Sequence, residues 1–159
     1  MPQYLHLSKK QVEIYLAQSR LYARWVREQI AAFEAQLIFD EMNLPEWEPF
    51  NRLEDLGAVP WMYMDIPENV RNWFKLSADR SHGNDIVPEL DEPRERHWLK
   101  MIESVCAECK ATKVAVLCGA AHLSTFSRKL IDVGHQVTKI DVRNAEWYDD
   151  SYKSTPSPW

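Results

Sequence analysis

Apolar side chains recur every three or four residues along the first 34 residues, a spacing typical of an amphipathic helix. Ser8 is followed three residues later by Gln11, which is a capping-box pattern at a helix start. We therefore predict one long helix from Ser8 to about Glu34. Its apolar stripe consists of Tyr15, Tyr22, Val26, Ile30 and Phe33.

Short apolar runs alternate with further helical segments along the rest of the chain. The predicted strands are Gln36–Asp40, Val59–Met64, Lys113–Cys118 and Gln136–Val142. The predicted helices are Phe50–Leu56, Pro67–Leu76, one from Pro93 to near Ala111, and one from near Ser124 to Gly134. The predicted loops are Asn43–Asn51 and Ala78–Asp91.

This alternation predicts an α/β protein, a single-domain layered fold with a small, mainly parallel sheet flanked by helices. The domain is expected to cover residues 1–143. Residues 144–159 contain two prolines and little pattern, so they are expected to form a poorly ordered C-terminal tail.

Side chains that can act as acids, bases or metal ligands follow three of the predicted strands. Asp40 and Glu41 end the first strand, Asp65 ends the second, and the turn Gly119–His122 follows the third. In open parallel sheets, ligands bind outside the carboxyl ends of the strands. The sequence therefore predicts a polar site at this edge, although each acid also has an ordinary interpretation as strand-end polarity or a helix cap.

The segment Cys118-Gly-Ala-Ala-His122 is the sharpest local motif. Gly119 permits a tight turn after the strand, and Ala120 and Ala121 let a ligand or other backbone approach closely. His122 then lies just before a helix, where its imidazole is suited to acid–base work or metal binding. The competing interpretation is a packed histidine in a βα turn.

Arg94 and Arg96 open the helix that precedes this motif. One of them is a candidate to reach over the strand ends and hold a carboxylate or an oxyanion. The alternative is a solvated charged face.

Composition narrows the function classes. The chain carries 19 Lys and Arg against 24 Asp and Glu, a net charge of -5, which argues against a nucleic-acid partner. Its four glycines are too far apart for a phosphate-binding loop. Three cysteines without a secretory pattern, and no long apolar run, lead us to expect a cytoplasmic protein with no membrane contact.

Four segments in order resemble the TraB / ChaN-like / erythromycin-esterase-like superfamily, which also includes the Tiki proteases. They are LIFDEMN, GAVPWMYMD, PRERHWLKMI and VLCGAAHLSTFSRKLIDVGHQV. The resemblance implies an α/β fold with a mainly parallel sheet. It matches His122 to the histidine of the second G-x-x-H motif of the family. The first G-x-x-H motif, whose histidine belongs to the reactive centre of the family, is lacking in this chain.

The resemblance also implies a set of site residues. Glu41 (or Asp40) matches the acid after the early strand, Arg94 or Arg96 matches the helix arginine, and Asp65 matches a polar strand end. Members of the family include esterases that use His with Glu, metal-dependent proteases and a haem-binding lipoprotein. A divalent metal (Mn, Mg, Co or Zn) held by Asp40, Glu41, Asp65 and His122 is therefore one implied arrangement.

Together these observations predict hydrolysis of an ester or amide in a small-molecule or peptide ligand. The catalytic residues would be His122, Glu41, Arg94 and Arg96, and the ligand-binding residues Gly119, Ala120, Ala121 and Asp65. The alternative is a catalytically degenerate binding module that lost one strand and forms a homodimer through the exposed sheet edge.

Overall fold

The computed structural model describes residues 8–41, 59–67, 69–70 and 88–151. Within them the fold is mixed α/β, as predicted, and the sheet is parallel. The described residues group into two compact units, 8–32 with 141–151, and 33–41 with 59–67, 69–70 and 88–140. The predicted helix Phe50–Leu56 and loop Asn43–Asn51 lie outside the described residues. Of the predicted helix Pro67–Leu76, only the start is described, and residues 69 and 70 are helical.

The first helix, α1, spans Lys9–Phe33 and begins where the capping box predicts. The amide of Ser8 donates to Gln11 Oε1 at 2.7 Å, and the amide of Gln11 donates to Ser8 Oγ at 3.3 Å. These reciprocal bonds satisfy amides that have no partner inside the helix. Ala23, Val26 and Ile30 are its buried residues.

Residues 141–151 lie in the same compact unit as most of α1. Gln18 contacts this segment at two points: its Nε2 donates to the carbonyl of Trp147 at 3.0 Å, and its Oε1 accepts from the amide of Asp149 at 2.9 Å. The ring of Trp25 meets that of Trp147 edge-on at 6.3 Å. Residues 144–151 of the predicted tail therefore make defined contacts, while 152–159 lie outside the described residues.

The second unit contains a sheet of three parallel strands: β1 (Leu37–Asp40), β2 (Trp61–Tyr63) and β3 (Val114–Leu117). The sheet order is β2-β1-β3, so β1 is central and all four of its residues are buried. Asp40 pairs with Tyr63 on one side and with Leu117 on the other. The carboxyl ends of all three strands therefore lie side by side.

Two helices of this unit complete the core, α2 (Pro88–Cys109) and α3 (Leu123–Asp132). A 3-10 turn, Ala120–His122, joins β3 to α3. The buried apolar cluster consists of Leu37, Phe39, Met64, Trp98, Ile102, Phe126 and Leu130. It draws on β1, the residue that follows β2 and both helices, so burial of this one cluster orients α2 over the strand ends.

Two predicted boundaries are wrong. The helix α2 begins at Pro88 rather than Pro93, so the predicted loop Ala78–Asp91 ends early. Pro93 removes one backbone bond. The turn before it is held instead by side chains, because Asp91 accepts from Arg94 at 3.2 Å and Glu92 pairs with Lys129 at 2.6 Å.

The predicted strand Gln136–Val142 is also wrong, because residues 135–141 are irregular. The side chain of Asp141 accepts from the amide of Arg143 at 3.0 Å and starts a short 3-10 turn, Val142–Asn144. Such local side-chain bonds compete with strand pairing. The end of α3 matches the prediction, since Gly134 adopts φ 99°, a left-handed conformation that favours glycine.

The core predicts a large difference between two isoleucines. Ile102 on α2 is 2% exposed and Ile131 on α3 is 51% exposed. We expect Ile102→Ala to lower the free energy of unfolding by about 2–5 kcal/mol, because it removes buried methylenes and leaves a cavity. The matched Ile131→Ala is expected to change it by less than about 0.5 kcal/mol. Urea unfolding of both variants is the measurement, and equal effects would contradict this core.

Candidate functional site

The candidate site is a buried cluster of charged side chains at the carboxyl ends of the three strands. Glu41 follows β1, Asp65 lies two residues after β2, and Gly119 and His122 follow β3. The helix α2 brings four further side chains to the same place. These are Asp91, Arg94, Glu95 and Trp98.

Arg94 is the centre of the first half of the cluster. Its Nε and Nη2 donate to the two carboxylate oxygens of Asp65 at 3.1 and 2.8 Å. Its Nη2 also donates to Glu41 Oε1 at 2.9 Å, and its Nη1 donates to Asp91 Oδ1 at 3.2 Å. The guanidinium carbon lies 5.3 Å from the ring centre of Trp98. One cation thus bridges acids from two strand ends and a helix.

Burial and pairing act in opposite directions on Arg94. Burial disfavours its charge, but the hydrogen bonds to Asp65 and the charges of the three carboxylates outweigh that effect and raise the pKa of the guanidinium. Arg94 is therefore a fixed positive charge. Four hydrogen bonds engage it, against the five donors of a guanidinium.

Gly119 fixes the other end of Glu41. Its amide donates to Glu41 Oε2 at 2.6 Å. A Cβ atom at position 119 would lie 3.4 Å from the same oxygen, which is an ordinary van der Waals contact, so the carboxylate alone does not require glycine there. Glu41 is thereby held between the end of β3 and the guanidinium of Arg94.

His122 and Glu95 form the second half of the cluster. His122 Nδ1 lies 2.8 Å from Glu95 Oε1, and both side chains are almost fully buried. His122 Nε2 faces Glu41 Oε1 at 3.7 Å and Asp91 Oδ1 at 3.8 Å. The imidazole ring packs edge-on against Trp98 at 4.7 Å. Its orientation is therefore set by one hydrogen bond and one aromatic contact.

The carboxyl group of Glu95 has a strongly lowered pKa. Burial acts to raise its pKa, but hydrogen bonds from His122, Lys129 and Thr125 outweigh burial and bring the pKa of Glu95 down to about 2. The distances are 2.7 Å from Lys129 Nζ to Oε2 and 2.5 Å from Thr125 Oγ1 to Oε1. Glu95 is therefore ionised at neutral pH.

Cys118 lies next to the cluster, and its thiol is protonated at neutral pH. Burial, and then the negative charges of Glu41, Glu95 and Asp40, raise the pKa of its thiol to about 12. A nucleophilic cysteine needs the opposite shift. Cys118 is consequently a packing residue here rather than a nucleophile.

The structure brings most of the predicted site residues together. Glu41, Asp65, Arg94, Gly119 and His122 belong to one connected set of contacts. Arg96 does not join them, because its side chain is 71% exposed and pairs with Glu92 at 2.9 Å. Asp40 is buried beside the set. Ala120 and Ala121 lie in the turn between Gly119 and His122, and Ala120 is exposed.

Sequence reasoning passed over Glu95, Asp91, Thr125 and Lys129 as site residues. A signal was present for two of them. Glu95 lies three residues before Trp98, and Asp91 lies four residues before Glu95, so both continue the buried stripe of α2 toward its start. Charged residues on a core-facing stripe must find partners inside the protein.

The proposed metal set does not fit the arrangement of the side chains. The guanidinium of Arg94 already lies among the carboxylates of Glu41, Asp65 and Asp91, where a cation would sit. Trp98 Nε1 donates a further hydrogen bond to Asp65 Oδ1 at 2.8 Å. Within the described ranges no group of three or more His, Cys, Asp or Glu side chains is arranged to hold a metal ion.

Comparison of the chain with protein-family models, with curated proteins and with solved structures finds no match. The superfamily resemblance therefore remains a hypothesis that rests on the quoted motifs. In the described part of the chain, every helix is too short or too polar to cross a membrane.

The central role of Arg94 predicts a second matched pair. Arg94→Met leaves three acids without their common cation, and we expect the free energy of unfolding to fall by about 3–5 kcal/mol. Arg96→Met removes only an exposed pair and is expected to cost less than about 1 kcal/mol. Urea unfolding at neutral pH compares them. A stable Arg94→Met protein would show that the acids do not depend on this cation.

The lowered pKa of Glu95 predicts a pH dependence of stability. Because the pKa of Glu95 is below its ordinary value in the folded protein, its contribution is present above about pH 4.5 and is lost as the pH falls toward about 2. The contribution is on the order of 3 kcal/mol. The difference in unfolding free energy between wild type and Glu95→Gln should therefore shrink between pH 5 and pH 2, as followed by urea titration.

Glu108→Gln, which alters an exposed acid on the same helix, is the control. Its difference from wild type is expected to show no comparable decrease over that range. A Glu95→Gln difference that stays constant with pH would contradict the ionised, paired state of Glu95.

Proposed function

We propose that this protein hydrolyses ester or amide bonds with His122 as the general base. The proposal is carried by one observation, the 2.8 Å contact of His122 Nδ1 with the buried carboxylate of Glu95 at the carboxyl edge of the sheet. An ionised carboxylate behind an imidazole is the arrangement that prepares histidine for proton transfer. The superfamily resemblance, which includes esterases that use His with Glu, supports the same reaction class.

The pairing assigns the protons of the imidazole. In this proposal Glu95, with its pKa lowered to about 2, accepts a hydrogen bond from Nδ1–H, so the lone pair of the neutral ring is on Nε2. In the proposed reaction, water attacks the carbonyl carbon of the substrate and gives a proton to Nε2. The tetrahedral intermediate then expels the alkoxide or amine, which takes that proton from Nε2.

Glu41 and Asp91 are placed to stabilise the imidazolium that forms in this step. Their oxygens lie 3.7 and 3.8 Å from Nε2, close enough for attraction to a charged ring. Arg94 acts through them as a positioning residue, because its hydrogen bonds hold Glu41, Asp65 and Asp91. The sequence suggested that an arginine contacts the oxyanion directly. In this proposal Arg94 instead positions the acids, and Arg96 has no role.

The test is hydrolysis of a panel of p-nitrophenyl esters and p-nitroanilides. We expect wild type to turn over at least one member, and His122→Gln and Glu95→Gln to lower kcat/KM by about 100-fold or more. Arg96→Gln, an exposed change two residues from Arg94, is expected to leave kcat/KM unchanged. Circular dichroism establishes that each variant is folded.

Two results would contradict the proposal. The first is wild-type protein with no activity on any ester or anilide of the panel, which would favour the alternative of a catalytically degenerate binding module. The second is an active protein in which His122→Gln retains full kcat/KM.

A further inference from the structure

Lys129 is the cation that pairs with the carboxylate behind His122. Its Nζ lies 2.7 Å from Glu95 Oε2 and 2.6 Å from Glu92 Oε2. The other oxygen, Oε1, contacts Thr125 and His122. The two oxygens of Glu95 are thus divided, one toward the imidazole and one toward the lysine.

The three partners of Glu95 come from one stretch of the chain. His122 lies immediately before α3, and Thr125 and Lys129 follow at positions three and seven residues later. That spacing places all three on one face of a helix, directed toward α2. The turn that ends at His122 and the helix that follows it therefore carry the base and two groups that hold the acid behind it.

Glu95 needs a cation because it is only 1% exposed. A buried carboxylate without a counter-charge is strongly unfavourable. If Lys129 were absent, the groups left on Glu95 would be a neutral hydroxyl and the imidazole itself. The Glu95–His122 pair would then hold a proton to higher pH, and the ring would lose the lone pair that a base requires.

We propose that Lys129 is a positioning residue of this site: it orients Glu95 and neutralises its charge, and so keeps Nε2 of His122 available as a base. The proposal rests on the hydrolytic function proposed above. Glu92 also pairs with the ammonium of Lys129, and its side chain is 40% exposed.

The charged groups that face His122 directly are acids, and Arg94 binds the same oxygens of Glu41 and Asp91 that face Nε2. Asp91 and Glu95 approach it from α2, and Glu41 approaches it from the end of β1. From α3, the helix that follows His122, the charged side chain in contact with Glu95 is Lys129. Removing Lys129 therefore leaves Glu95 without its cation, while Arg94 still balances Glu41 and Asp91.

The test is an NMR titration of the His122 ring nitrogens, which needs no turnover. The resonances are assigned by their loss in His122→Gln. In Lys129→Met we expect the pH midpoint of His122 to rise by about one unit relative to wild type. Lys129→Arg keeps the charge and is expected to restore most of the wild-type midpoint. Arg128→Met, which alters the exposed neighbour on the same helix, is expected to leave it in place.

If Lys129→Met does not fold, Lys129→Gln replaces it, because the amide still donates a hydrogen bond but carries no charge. An unshifted midpoint in the folded uncharged variant overturns the proposal. So does a Lys129→Arg midpoint equal to that of Lys129→Met, since a purely structural role would not follow charge.

The outcomes separate this proposal from the hydrolytic one. A shifted midpoint in a protein that hydrolyses no panel substrate retains Lys129 as the partner that sets the protonation of the pair and rejects hydrolysis. An active wild-type enzyme with an unshifted midpoint rejects the role of Lys129 and retains hydrolysis. In an active enzyme we also expect the pH profile of kcat/KM for Lys129→Met to move upward with the midpoint.

Discussion

The charge on Arg94 is the constraint on which the carboxyl edge of the sheet depends. Glu41, Asp65 and Asp91 come from three separate segments and would repel one another without it. The geometry is favourable, because the paired donors Nε and Nη2 meet both oxygens of Asp65. The guanidinium therefore ties α2, which the apolar core orients, to the ends of β1 and β2, and α2 in turn holds the ring of His122 through Glu95 and Trp98.

Lys129 is a second cation that pairs with more than one acid. It balances Glu92 and Glu95, as Arg94 balances its three acids, and the two cations lie on different helices. Between them is His122, which contacts acids belonging to both groups. A side chain that does not titrate at position 122 would leave the two groups as separate sets of salt bridges. An imidazole contacts both, so the protonation of one group depends on the other.

The sequence was informative where local chemistry decides the structure. The capping box at Ser8, the apolar run of β3 and the glycine at 134 each act within a few residues, and the structure follows them. It was misleading where distant side chains decide. Pro93 indicates a helix start, but α2 extends back to Pro88, and in that added turn Glu92 contacts Lys129 on another helix.

The candidate site was predictable to the same extent. Parallel strand order places Glu41, Asp65 and His122 at one edge, and that inference needs no coordinates. The choice between Arg94 and Arg96 needs the rotation of α2 about its axis, which the buried stripe of Trp98 and Ile102 fixes. Lys129 escaped notice because an exposed-looking lysine gains its meaning from Glu95 on another helix.

Trp98 joins the core and the cluster in one side chain. Its ring packs against Phe126 at 5.3 Å, while its indole nitrogen donates to Asp65 and its face lies beneath Arg94. A phenylalanine there would fill much of the same volume but would leave Asp65 short of a donor. The interior and the polar edge therefore cannot vary independently over evolution. A substitution at this position that preserves only size and hydrophobicity removes a hydrogen bond to Asp65, so it is not neutral for the polar edge.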